Sequence, residues 1–235
     1  MIRKIAIMQP YMFPYIGYFQ LIAAVDKFVV YDDVNYINRG WVNRNNILIN
    51  GVATLIQIPL SGASQNKLIN EVEILNETKW KVKLLRTIEQ SYKKASFFLA
   101  VYDLIQTQIN KGHTHIAGLN VESTQAVCKY LGINTQIISS SSHYQNKHLS
   151  GQDRILDICK IENADHYINP IGGMELYDRE LFDENKIKLN FIQSSAISYR
   201  QFNNLFAPYL SIIDVLMFCE PEYIKTKLLK AYKLI

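Results

Sequence analysis

The residues best suited to chemistry begin at Gln9-Pro10-Tyr11-Met12-Phe13-Pro14-Tyr15-Ile16-Gly17-Tyr18-Phe19, directly after a short apolar run. In open α/β sheets ligands bind beyond the carboxyl ends of strands, so a proline-stiffened aromatic loop there can line a pocket, with Gln9 and Tyr11 as its polar contacts. The same aromatics could instead cover the edge of the sheet. Asp32-Asp33 ends the next apolar run. A carboxylate at that place can bind a ribose hydroxyl, hold magnesium or act as a general base, or it can simply turn the chain. Adjacent residues of an extended chain face opposite sides, so only one of Asp32 and Asp33 is expected in a shared site.

Between Tyr36 and Asn45 the chain carries Arg39, Arg44, Asn38, Asn43, Asn45, Tyr36 and Trp41. Arginine forks match phosphate and carboxylate, and Tyr or Trp rings stack on a base or a sugar, which suits a nucleotide-linked substrate. Ser150-Gly151-Gln152-Asp153-Arg154 opens a helical pattern whose amino end suits an anion, bringing in Arg154, unless Ser150 or Asp153 merely caps it. Asn169-Pro170-Ile171-Gly172-Gly173 lets backbone approach a ligand, with Gly173 as the candidate. His143 and His148 flank a serine-rich turn after another apolar run, and His143 is the stronger acid/base candidate. His113 and His115 lack a third ligand at metal spacing, and no metal site is assigned. GxGxxG, GxxxxGK[ST] and GxSxG are absent, which removes the usual dinucleotide, P-loop and hydrolase readings.

The elements that must position these residues alternate. Strands are expected at 5–8, 27–31, 135–138, 165–169 and 188–193, and helices at 18–25, 80–90, 97–110, 122–131 and 152–161. Asn50-Gly51 between two β-rich runs marks a hairpin, and the stretch from Pro208 is rich in helix formers apart from a break at Glu220-Pro221. The expectation is an α/β fold: a mostly parallel sheet flanked by helices in a nucleotide-binding-like three-layer arrangement, with an inserted β-hairpin and a helical C-terminal part. No linker divides the chain, so residues 1–235 are read as one domain.

A formal charge of +4 spread along 235 residues argues against nucleic acid as the default partner. Cys128, Cys159 and Cys219 are odd in number and form no CxxC, the pattern of buried thiols in a reducing compartment. With neither a signal peptide nor a membrane-length apolar run, the expected location is cytoplasmic.

The opening Gln9-Pro10-Tyr11-x-x-Pro14-x-x-Gly17-Tyr18-Phe19, the end Tyr31-Asp32-Asp33-Val34 and Trp41-x-Asn43-Arg44 together resemble the WbqC-like family. Asp153-Arg154-Ile-Leu-Asp-Ile, Asp165-His-Tyr-Ile and Phe206-Ala-Pro-Tyr-Leu-Ser-Ile-Ile-Asp214 extend the resemblance over nearly the whole chain. Two departures stand out, at 169–173 and near Gln152-Asp153. The opening is also similar to a distant nucleotidylyltransferase element, with Tyr15 and Tyr18 where those enzymes place two histidines, which weakens adenylyl transfer; Tyr18, in the matched opening, is among the candidate substrate-binding residues. The resemblance implies a role in O-antigen or other surface-glycan synthesis on a nucleotide sugar, and we expect acyl or aminoacyl transfer to a sugar amine. In that scheme Arg44 and Asn43 hold the diphosphate, Trp41 or Tyr36 stacks on the base, and Asp33 or His143 takes the amine proton. Partners are then a nucleotide sugar and an acyl or aminoacyl donor, with ATP and Mg2+ as candidate cofactors and a homodimer as candidate assembly. An ATP-dependent amide ligase and a non-catalytic sugar-nucleotide binder are the alternatives.

Overall fold

The computed structural model describes residues 3–202 and 205–235. The central sheet has six strands: β1 (Lys4–Met8), β2 (Lys27–Val30), β7 (Gln136–Ile138), β8 (His166–Pro170), β9 (Lys188–Ser194) and β10 (Tyr232–Leu234). Their order is β10-β9-β8-β1-β2-β7, all parallel except the β9–β10 pair. From β1 the chain builds outward through β2 to β7, then returns to place β8 on the other side of β1. The direction of winding therefore reverses between β1 and β8, which opens a crevice at their carboxyl ends.

The strands read as continuous apolar runs because helices cover both faces. Ile5, Ile7, Val29, Tyr167 and Phe191 point into one core with α5 (Gly151–Ile161) and α6 (Arg179–Glu184). Ala6, Phe28, Val30, Ile168 and Ile192 point into the other, shared with α1 (Ile16–Ala23), α4 (Ile116–Leu131), α7 (Ile212–Phe218) and α8 (Pro221–Thr226). The connection from β2 to β7 carries the insertion. It holds the antiparallel hairpin β3 (Arg44–Ile49) and β4 (Val52–Gln57), the short pair β5 (Leu60–Ser61) and β6 (Glu73–Ile74), and the helices α2 (Lys79–Tyr92) and α3 (Phe98–Asn110) before α4. Asn50 and Gly51 have φ of 51° and 80°, the left-handed pair that a two-residue hairpin turn demands.

Most elements lie within two residues of the sequence expectation, and two larger departures have a physical reason. Helix α4 begins at Ile116 instead of 122, because burial of Ile116, Leu119 and Asn120 overrides the weak helical propensity of Gly118 and Asn120. The unexpected strand β10 is an edge strand held by side chains remote in sequence: buried Gln20 of α1 donates to the carbonyls of Leu228 (2.7 Å) and Ala231 (3.1 Å) and accepts from Ser194 (2.6 Å). The three thiols are buried and unpaired, and burial pushes each up to about 12, so none is a thiolate at neutral pH. Among the described residues no helix is long and apolar enough to cross a membrane.

Helix α5 is fastened at its carboxyl end by Glu162, which accepts hydrogen bonds from Lys27 and from Tyr144 Oη (2.7 Å). Burial alone would raise the Glu162 pKa, but those bonds outweigh it and hold the carboxyl below its ordinary value of 4.5. A depressed carboxylate contributes stability above the unfolded pKa that is lost as pH falls through the folded one. Below pH 4.5 the melting temperature of the wild type should therefore fall more steeply than that of Glu162→Gln, and parallel curves in a pH-dependent thermal melt would refute this.

Candidate functional site

The switch point holds a crevice of about 760 Å3, within the range of about 300–1,000 Å3 usual for small-molecule sites. Its first wall is the segment after β1, where Gln9 and Tyr11 face the space. That loop is held by buried amides and a hydroxyl. Asn45 Nδ2 donates to the carbonyls of Met12 (3.0 Å) and Phe13 (2.8 Å), Asn120 Nδ2 to that of Pro10 (3.2 Å), and Ser211 Oγ to that of Phe13 (2.7 Å). Phe13 is thereby kept at a φ of 40°, a conformation costly for a bulky residue and typical of loops shaped for a ligand.

The second wall comes from the end of β2. Asp33 is buried, with both carboxylate oxygens 2.7 Å from Arg154 Nη2, and Ser141 Oγ also donates to it. Arg154 is spent equally: its Nε donates to Asn146 Oδ1 (2.9 Å), and its guanidinium lies 4.9 Å from the centre of the Tyr31 ring. This ion pair rivets the first turns of α5 to the end of β2. Asp32 lies outside the crevice, where it accepts from Ser140 Oγ (2.7 Å) and the Ser141 amide (3.1 Å), and the Ser141 hydroxyl stands between the two carboxylates. Burial raises the Asp32 pKa, and the Ser140 and Ser141 hydrogen bonds only partly oppose this.

The third wall is the amino end of α5, with Lys147, Ser150, Gly151 and Gln152 on the crevice. The Ser150 side chain makes no capping hydrogen bond, so the positive end of the helix is open toward the cavity. Asn169, Gly173 and Tyr177, from the end of β8 and the 3-10 turn Ile171–Leu176 that follows, form the floor, while Ile37, Leu68, Leu149 and Leu176 supply apolar surface.

Of the candidate residues, the crevice gathers Gln9, Tyr11, Asp33, Arg154 and Gly173. The others are elsewhere. Tyr18 is buried with its hydroxyl donating to the Gln9 carbonyl (3.0 Å) and its ring against Tyr11 and Phe28. Tyr36 is buried and donates to Asn43 Oδ1 (3.0 Å), and Asn43 in turn donates to the Ile58 carbonyl (2.8 Å). Arg44 donates to the carbonyls of Gly40 (2.9 Å) and Arg39 and lies against the exposed ring of Trp41. Arg44 and Asn43 are thus spent on backbone carbonyls. His143 is exposed and packs edge-on against Tyr144. The crevice also holds Tyr31, Lys147 and Tyr177, which the sequence motifs do not mark as site residues, and Asn169, which they mark only through the backbone of its turn, although Tyr167-x-Asn169 at the end of a strand has the period that puts both on one face. Among the described residues no group of three or more His, Cys, Asp or Glu could hold a metal ion.

The profile of the WbqC-like protein family matches residues 9–226, spanning every wall of this crevice. The chain belongs to the WbqC-like family. It is 31% identical over 218 residues to the uncharacterised protein Rv1507c of Mycobacterium tuberculosis, an alignment that covers 91% of this chain and 93% of the relative. No solved structure matches the chain. In this WbqC-like protein the crevice can offer an anion an open helix end and a lysine, and a ring the faces of Tyr11 and Tyr31. It offers Asp33 as a neutralised partner of Arg154 and not as a free carboxylate.

Proposed function

We propose that this crevice binds a nucleotide-linked amino sugar and that the protein transfers an acyl or aminoacyl group to the sugar's amine, in the surface-glycan setting that the family resemblance implies. The observation that carries the reading is the uncapped amino end of α5, beside Lys147, at the switch point of a parallel sheet. The diphosphate lies against that helix end, and the base or sugar ring lies along Tyr11 and Tyr31. The amine nitrogen attacks the acyl carbon of an activated donor, the bond to the leaving group breaks with its electron pair, and the amine proton passes to that group or to water. The site's contribution is alignment of the two substrates. Trp41, Tyr36, Asn43 and Arg44 shape the neighbouring loop in this scheme and do not touch the diphosphate.

Melting curves with UDP-, dTDP-, GDP- and CDP-amino sugars and with ATP test the reading. A ligand at a hundred times its Kd should add about 2.7 kcal/mol of stability. The shift should be lost in Lys147→Ala and kept in Arg44→Ala and Trp41→Ala. A shift with ATP and with none of the sugar nucleotides would turn the reading toward an ATP-dependent amide ligase. One observation favours a non-catalytic sugar-nucleotide binder: Asp33 is engaged on both oxygens, Asp32 faces the serine turn and His143 is outside. Binding without any acylated product, followed by mass spectrometry with acetyl coenzyme A as donor, would support that second reading.

A further inference from the structure

Asn169 and two tyrosines form a closed triangle on the crevice floor. Asn169 Nδ2 donates to Tyr167 Oη (2.6 Å) and Tyr177 Oη (2.9 Å), and the two phenol oxygens are 3.1 Å apart. The reverse orientation of the amide is worse. Its oxygen would take both phenol protons and leave two oxygens facing each other with no hydrogen between them, whereas the observed one fills all three sides. Both amide hydrogens are therefore used inside the protein, and Oδ1 is turned away from the triangle.

That oxygen is built in and unused. Asn169 is only 7% exposed, yet Oδ1 accepts no hydrogen bond from a described residue and is not among the sealed polar atoms, and the residue lines the crevice. A Cβ at Gly173 would stand 2.8 Å from Oδ1. Glycine there keeps the oxygen uncovered, and its backbone is not left-handed, so space is the reason for it.

The phenols add a donor. Tyr167 is fully buried, and burial raises its pKa and that of Tyr177, so both stay protonated at neutral pH. The Tyr167–Tyr177 contact can run in either direction, but among the described residues Tyr167 Oη has no other oxygen acceptor, so we assign its proton to Tyr177 Oη, which leaves the Tyr177 hydroxyl free to donate into the crevice that Tyr177 lines. The floor thus presents a fixed acceptor and an adjacent donor.

We infer that Asn169 Oδ1 receives an N–H of the substrate's primary amine while Tyr177 Oη–H donates to a neighbouring oxygen of the same sugar. This deepens the function proposed above and rests on it. A neutral amine has two N–H bonds and one lone pair. Holding one N–H on Oδ1 orients the lone pair toward the acyl carbon, so Asn169 both selects the amine and aims it.

Isothermal titration tests this with whichever of the UDP-, dTDP-, GDP- or CDP-amino sugars stabilises the wild type, alongside the matching nucleoside diphosphate alone. In Asn169→Ala the Kd for the amino-sugar nucleotide should rise roughly tenfold, with the nucleoside diphosphate unchanged. Gly173→Ala keeps the amide but sets a Cβ 2.8 Å from its oxygen, so it should weaken the amino-sugar nucleotide in the same way and leave the nucleoside diphosphate unchanged, with a cooperative melt by circular dichroism showing that the fold persists. If both variants bind the amino-sugar nucleotide as tightly as the wild type, or lose the nucleoside diphosphate equally, the assignment is wrong and the proposed function stands. If the wild type binds none of the amino-sugar nucleotides, the proposed function fails and this inference falls with it.

Discussion

Asp33→Asn is expected to cost about 3–5 kcal/mol of stability, because it leaves the Arg154 guanidinium buried without its counter-charge. For a chain of this length that is a fall in melting temperature on the order of 10 °C. The partner change, Arg154→Met, strands the Asp33 carboxylate and releases Asn146 and the Tyr31 ring, so it should be equally damaging. The double variant should recover much of the loss, since two buried charges removed together leave neither unpaired, and the cost of desolvating both is removed as well. Thermal melts of the three proteins give the coupling directly. The result that would sink this account is Asp33→Asn melting like the wild type while turnover disappears: Asp33 would then be a base that touches substrate, and not the residue that positions α5 and its open amino end.

The pairing explains where the sequence was legible. The alternation of short apolar runs with helical patterns located the parallel strands of the core, because doubly covered strands need unbroken apolar stretches such as Ile5-Ala6-Ile7. It also placed Gln9 and Asp33 at the same edge, since parallel strands share a direction. What it could not show was that the partner of Asp33 stands 121 residues away on another element. A carboxylate at a strand end looks the same in sequence whether it is free or neutralised.

The segment from Tyr36 to Arg44 illustrates the opposite difficulty. Its donors did signal hydrogen bonds, but Arg44 and Asn43 give theirs to the carbonyls of Arg39, Gly40 and Ile58, and Tyr36 gives its own to Asn43. Donor density says nothing about whether the acceptor is a ligand or the chain itself. The position of His143 beside the serine-rich turn suggests a reach into the crevice, and Ser140 and Ser141 of that turn do bond to the aspartates, but the His143 ring is exposed, packs edge-on against Tyr144 and does not line the crevice. The turn that Asn169 opens is legible as a place where backbone can approach a ligand, but the role of the Asn169 side chain is not, because it depends on Tyr167 and Tyr177 closing the triangle, one of them eight residues further on.

A second large effect is expected at Asp214, in the first turn of α7. It is fully buried and accepts from Tyr199 Oη (2.6 Å), Gln201 Nε2 (2.6 Å) and Tyr92 Oη (2.8 Å), while Tyr92 Oη itself accepts the Leu48 amide (2.8 Å). One carboxylate therefore ties α2, the segment 199–201 and α7 to strand β3, whose Asn45 holds the loop bearing Gln9 and Tyr11. Asp214→Ala leaves three donors without an acceptor, each at about 1–3 kcal/mol. The variant should melt far below the wild type and bind ligand weakly through the loosened loop. Asp214→Asn keeps an acceptor and should be milder, with a definite pH dependence. Burial raises the Asp214 pKa above its ordinary 3.8, its three hydrogen bonds opposing only in part. A raised carboxyl contributes stability that is complete below its unfolded pKa and lost as pH rises through the folded one. The asparagine side chain does not titrate, so the gap in urea stability between wild type and Asp214→Asn should be widest in acid and narrow as the wild-type carboxyl ionises. A gap that widens toward neutral pH would mean that the ionised carboxylate is the favoured form, and that the network holds the segments together through its charge and not despite it.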